Sequence, residues 1–197
     1  MAKAKKPKLT SEERSKIAKR SKDRGGTFER KIAKLFTEAV KDTPVETVWH
    51  KTPASGGMRW KKRDDVIGDI VCDRPDFIFT VECKKHEDID MEVLFYKRKS
   101  NTSSDLISFY EQACNEAIRA EKQPMLVVER KRGKPYMVIP RTIFSSIMDV
   151  DLPIDHVIYA VIRLNKEYDR GWEKVALLPV KEFLQFVLLD KLFTGEK

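Results

Sequence analysis

The chain is poor in the residues that build cross-links and zinc centres. It holds three cysteines and three histidines in 197 residues. Cys72, Cys83 and Cys114 form no Cys-x-x-Cys pair, and an odd count does not close a disulfide framework. Their neighbours are apolar or strand-like, so they read as reduced core thiols of a cytoplasmic protein. His50, His86 and His156 have no ligand spacing to one another or to a cysteine, which excludes a zinc site of the usual kind. No apolar run approaches the ~18 residues of a membrane span. The lysine-rich start has no apolar core of the kind a secretory signal carries. Internal repeats are also absent. At 41% hydrophobic residues the chain still has enough for a sizeable core, one domain or one domain with an appendage.

What it has is positive charge, unevenly placed. Residues 1–35 hold 13 Lys/Arg against 4 Asp/Glu, a net of +9, whereas the whole chain carries +8. The body is therefore near neutral, and the excess sits at the start. Residues 1–24 read as a basic, flexible arm suited to a polyanion. Further basic clusters occur at Arg59, Lys61, Lys62 and Arg63, at 97–99, and at Arg130, Lys131, Arg132 and Lys134.

Gly25-Gly26 reads as a break. Thr27 is placed to cap a helix over 28–41, with Phe28, Ile32, Leu35, Phe36 and Ala39 as its apolar stripe. Glu29 then falls in the first turn, where the helix dipole favours a carboxylate. A strand is expected at 45–49, then a polar loop over 50–65. Strands follow at 67–72 and 77–84, broken by Arg74-Pro75-Asp76. A mixed stretch covers 91–99. A helix is expected over 105–121, a second hairpin at 125–129 and 136–139, and a short helix at 141–148. Strands at 156–164 and 174–179 and a helix over 181–193 complete the chain. The alternation predicts an α/β fold with a central mixed sheet flanked by helices. The core spans 25–140, and 141–197 is read as an extension of the same domain.

The chemistry concentrates in the first hairpin. If Asp69 and Glu82 face each other across it, their side chains share a face within roughly 5 Å. Lys84 points to that same face, ~6.5 Å further along, and Cys83 points away from it into the core. Two carboxylates and an ammonium are costly to bury unless neutralised. A divalent cation neutralises them, and a metal beside a lysine suits phosphodiester hydrolysis. Pro75-Asp76 competes with Asp69 for the acidic role, but Asp76 is ~20 Å along the strand from Glu82. It reads as turn chemistry. The plainer reading of the pattern is a surface strand with cross-strand ion pairs. Against it stand the apolar run around Glu82, the basic arm, and a helix with a carboxylate in its first turn before the sheet.

Gly26-Thr27-Phe28-Glu29-Arg30, Pro53-Ala54-Ser55-Gly56-Gly57, Gly68-Asp69-Ile70 and Val81-Glu82-Cys83-Lys84 resemble the successive motifs of archaeal-type Holliday-junction resolvases, members of the PD-(D/E)xK nuclease superfamily. The resemblance covers about residues 25–130, and Tyr110-Glu111-Gln112-Ala113 with 123–128 is similar to the closing helix and strand of that core. It implies a restriction-endonuclease-like fold, a homodimer, and paired nicking of branched DNA, four-way junctions above all. It implies that Asp69 and Glu82 ligate Mg²⁺, with Mn²⁺ as a substitute, helped by the Cys83 carbonyl. Glu29 would reach the ion directly or through water, Lys84 would orient the attacking water or steady transition-state charge, and Ser55 would lie near the scissile phosphate. Lys51, Arg59, Trp60, Lys61, Lys62, Arg63, Lys85 and Gln112 are the expected DNA contacts. Two other readings stay open: a nuclease of restriction, repair or phage-processing type on other DNA, and a catalytically silent DNA-binding protein.

Overall fold

A computed structural model describes residues 10–52, 67–87, 89, 105–149, 157–164 and 171–195. The first helix, α1, spans Ser11–Val40 without interruption. Thr10, not Thr27, is its N-cap. The Thr10 hydroxyl accepts the Glu13 N–H at 3.2 Å, and the Glu13 carboxylate accepts the Thr10 N–H at 2.8 Å, a reciprocal capping box. An ion pair from Lys16 back to Glu12 supports the same turn. The expected break at Gly25-Gly26 is thus overturned, and so is the first-turn placement of Glu29, which stands in mid-helix. Thr27 instead bonds back to the Asp23 carbonyl at 2.9 Å. The outer half of α1 is exposed, and only from Gly26 onward does one face become buried.

Strands β1 (Trp49–Lys51), β2 (Ile70–Cys72), β3 (Phe79–His86), β4 (Gln123–Arg130), β5 (Pro135–Pro140), β6 (Ile158–Arg163) and β7 (Trp172–Pro179) form one sheet in the order β1-β2-β3-β4-β5-β7-β6. β3 and β4 are parallel, and the other neighbours are antiparallel. A parallel pair needs a crossover, and α2 (Asp105–Ala120) lies in that connection. α3 (Arg141–Ile147) and α4 (Val180–Phe186) follow β5 and β7 directly. The expected helix over 181–193 stops at Phe186 and is succeeded by a short 3₁₀ turn, Leu189–Leu192. The first strand begins at Trp49 rather than at Val45.

The sheet is covered on both faces. Phe28, Ile32 and Phe36 of α1 pack with Phe144 of α3 and Phe183 of α4 onto Phe79, Val81, Cys83, Met125 and Val127. On the other face Leu106, Tyr110 and Ala113 of α2 pack onto Leu126, Val128 and Val138. β4 is therefore buried on both sides, which is why Met125 to Val128 reads as an unbroken apolar run. Residues 141–195 are part of this same sheet and its α1-side cover, as far as they are described. Among the described residues no helix is long and apolar enough to cross a membrane.

Candidate active site

The β2–β3 ladder pairs Ile70 with Val81, which sets Asp69 opposite Glu82. The Asp69 N–H donates to the Val81 carbonyl at 2.8 Å. Gly68 makes this possible. It holds φ +100°, and a Cβ there would stand 2.9 Å from the Val81 carbonyl oxygen, so only glycine lets the chain pass so close to β3. Thr52 ties down the same corner: its N–H donates to the Asp69 carbonyl and its hydroxyl to that of Gly68.

Alternation along β3 sends Phe79, Val81 and Cys83 to the α1 side, and Glu82 with Lys84 to the α2 side. Glu82 is only 2% exposed and Asp69 9%. The Lys84 ammonium is paired with Glu82 Oε1, and it sits 5.7 Å from the centroid of the Phe109 ring of α2. Gln112, also on α2, donates to Glu82 Oε1 at 2.9 Å and to Glu116 Oε1 at 3.1 Å. The Cys83 N–H donates to Asp69 Oδ2 at 2.9 Å.

Burial pushes Glu82 up to about 8, and the neighbouring Asp69 charge pushes it the same way, against the pull of Lys84. Burial also raises Asp69; the Cys83 N–H and Lys84 oppose the rise, while Glu29 and Glu116 add to it. Burial alone would lower Lys84, but its hydrogen bond to Glu82 and the charges of Glu82 and Asp69 outweigh that and raise it. Lys84 is therefore a fixed cation and not a base.

Glu29 approaches from the α1 side. Its Oε2 lies 2.5 Å from the Lys51 ammonium as an ion pair, and that buried oxygen has no hydrogen-bond partner. Gly26 admits Lys51: a Cβ there would come within 2.8 Å of its Nζ. Lys85 faces the α1 side and is paired with Glu129, as is Lys31. Gln112 is placed at the carboxylates. Ser55, Arg59, Trp60, Lys61, Lys62 and Arg63 lie outside the described residues, as do the stretch 91–99 and His156. Asp76 is the turn residue expected of it. Arg74 grips both its oxygens, at 3.0 and 2.6 Å, and that hydrogen bonding holds its carboxyl below the usual range.

Sequence reasoning missed Glu116. Its charge raises both Asp69 and Glu82, and its Oε2 is buried with no hydrogen-bond partner. The one signal for it is the four-residue step from Gln112 along α2, which puts both on one helix face.

Among the described residues no three His, Cys, Asp or Glu side chains stand in a metal-holding group. The donor set nevertheless fits a hard divalent cation. Mg²⁺ is ordinarily held by one or two carboxylates, with water and substrate oxygens completing the shell. Asp69 and Glu82 are two carboxyls facing each other, and burial first and their mutual charge second raise Glu82.

A mixed sheet flanked by helices is consistent with a restriction-endonuclease-like fold, and the family match supports a nuclease of the PD-(D/E)xK type. Nucleases of this class generally use divalent metals. The chain belongs to the family described as "Phage putative PDDEXK endonuclease", whose model matches residues 20–185. No curated protein and no solved structure matches it.

Proposed function

We propose that the chain is a Mg²⁺-dependent endodeoxyribonuclease of phage DNA processing, with Mn²⁺ able to substitute. The observation that carries this reading is the buried pair Asp69 and Glu82, facing each other across β2–β3 with the Lys84 ammonium on Glu82. Asp69 and Glu82 would hold the ion, with Glu29 and Glu116 adding negative charge around them. The ion, when bound, supplies a more acidic water and a polarised phosphate. Lys84 stays charged and offers its ammonium to the phosphate oxygens that gain charge at the transition state. Gln112 holds Glu82 in place through Oε1.

Substrate choice is the finer question. The family match supports a phage nuclease in general. Junction resolution by a homodimer rests on the likeness of the Glu29, Ser55, Asp69 and Glu82-x-Lys84 motifs to those of the resolvases. Cleavage of four-way junction, flap, single-stranded and linear duplex DNA, side by side in Mg²⁺, separates the two. Cutting of linear or flap DNA at least as fast as the junction favours general processing; paired symmetric nicks in the junction alone favour resolution. Asp69→Asn and Lys84→Ala are each expected to slow cutting by roughly 100-fold or more. Unchanged cleavage in both variants, or tight DNA binding with no cleavage in either metal, would sink the nuclease reading.

A further inference from the structure

A second cluster of charge lies just beyond Lys84 and plays no part in the carboxylate site. β3 continues through Lys85 and His86 to Glu87, and there the outer half of α1 and the β4–β5 turn close on it. Between them is a cleft of about 340 Å³ lined by Arg24, Lys85, His86, Glu87, Lys131 and Arg132. Lys85 is paired with Glu129, which leaves Arg24, Lys131 and Arg132 against Glu87, a net of +2 with His86 set aside. We propose that this cleft binds the DNA backbone flanking the cut. The proposal rests on the nuclease reading and names where that enzyme holds its substrate.

Glu87 shows how the walls converge on an anion. Its Oε1 meets Arg24 Nη1 of α1 at 3.2 Å and Lys131 Nζ of the turn at 3.0 Å. One anionic oxygen thus joins two cations from separate elements. All three side chains are at least half exposed, and exposed ion pairs are weak. A phosphate, with more acceptor oxygens, can take both cations from Glu87 at little cost. The turn is braced for this. Lys131 N–H donates to the His86 carbonyl, Gly133 N–H donates to that of Arg130, and Arg132 holds a left-handed φ of 60°. Glu129 is already taken by Lys31 and Lys85, whose hydrogen bonds lower its carboxyl against the opposing effect of burial.

Lys84 to Glu87 spans about 10 Å at strand rise, so the cleft opens within a short reach of the carboxylate site. Beyond it, Arg20 lies one helical step from Arg24 on the same face of α1, and Lys16 one step further, which extends the positive track outward.

Fluorescence anisotropy with a labelled linear duplex, in metal-free buffer so that nothing is cut, tests this across a salt series. Lys131→Ala/Arg132→Ala is expected to weaken binding by roughly tenfold per lost contact near 0.1 M salt and to lower the log–log salt slope by about 2. Glu87→Gln is expected to tighten binding. Wild-type affinity and slope in both would overturn the proposal, as would a weakened double variant with an unchanged slope, since that marks a folding defect and not a lost phosphate contact. The nuclease reading fails separately. If the wild type cuts no DNA in Mg²⁺ or Mn²⁺ while the slope still falls in the double variant, the cleft stands and the catalytic assignment does not.

Discussion

Burial and a neighbouring charge act together on Glu82. Its folded pKa of about 8 stands above the ordinary carboxyl value of 4.5, first through burial and then through Asp69. Between those two values the folded chain keeps a proton that the unfolded chain has lost. The protonated site is therefore favoured below about pH 4.5, and its contribution fades as pH rises toward 8. Asp69 is raised in the same direction, Glu116 adds to both, and Lys84 opposes both. Glu82→Gln is expected to remove much of this slope and to raise the metal-free melting temperature at pH 8, by about 2–4 °C for each kcal/mol recovered. Added Mg²⁺ should stabilise the wild type more than the variant. Thermal melts from pH 5 to 8, with and without Mg²⁺, read this out; a variant that melts lower than wild type at pH 8 without metal would contradict it. This pair was legible in the chain because a hairpin has period 2 and an antiparallel register, so two sequence positions suffice to predict a facing pair. Glu116 was not legible, because nothing local says that α2 lays that face against β3.

At the scale of elements, the regular periods survived and the exceptions did not. α2 and the β4–β5 hairpin lie close to where apolar spacing puts them. α1 was misread because Gly25-Gly26 looks like punctuation. Each interior glycine costs about 1 kcal/mol of helix propensity relative to alanine, but the capping box at Thr10 starts the helix far upstream, and packing of Phe28, Ile32 and Phe36 holds the rest. The glycines of the site differ in what they do. At Gly25 a Cβ would meet Glu29 Oε1 at an ordinary 3.6 Å, whereas at Gly68 it would collide with the β3 backbone in a left-handed conformation. Gly25→Ala is expected to stabilise the fold by about 0.5–1 kcal/mol. Gly68→Ala is expected to destabilise it by at least ~1–3 kcal/mol and to displace Asp69 enough to depress cutting. Denaturant titration of the two, beside a cleavage assay, separates them; equal and small effects would mean that Gly68 sets no geometry for Asp69.

Across the whole molecule the chain's end returns to brace the site's far side. β6 and β7 extend the sheet past β5, α4 crosses under it, and the segment after Leu189 reaches the β2–β3 turn. There Ile78 N–H donates to the Leu192 carbonyl at 3.0 Å and Thr194 N–H to that of Asp76 at 2.9 Å. Phe193 packs its ring 5.8 Å from Phe77 and 6.2 Å from Trp49, with the Arg74 guanidinium 4.0 Å over its face. That same Arg74 holds Asp76, so the aromatic cluster and the turn are one unit. The turn in turn joins the two strands that carry Asp69 and Glu82. None of this was visible in sequence, where 181–193 reads as one amphipathic helix and nothing marks Phe193 as a contact of residue 77. Loss of a buried phenylalanine costs about 3–5 kcal/mol, so Phe193→Ala is expected to lower the melting temperature by roughly 6–20 °C at 2–4 °C per kcal/mol. Phe186→Ala, at a partly buried position away from the β2–β3 turn, should cost less. If the closing segment were only a tail on a nuclease core, Phe193→Ala would melt within about 2 °C of wild type. Thermal denaturation followed by circular dichroism decides between these outcomes, and cleavage measured well below the melting temperature reports whether the hairpin still sets Asp69 against Glu82.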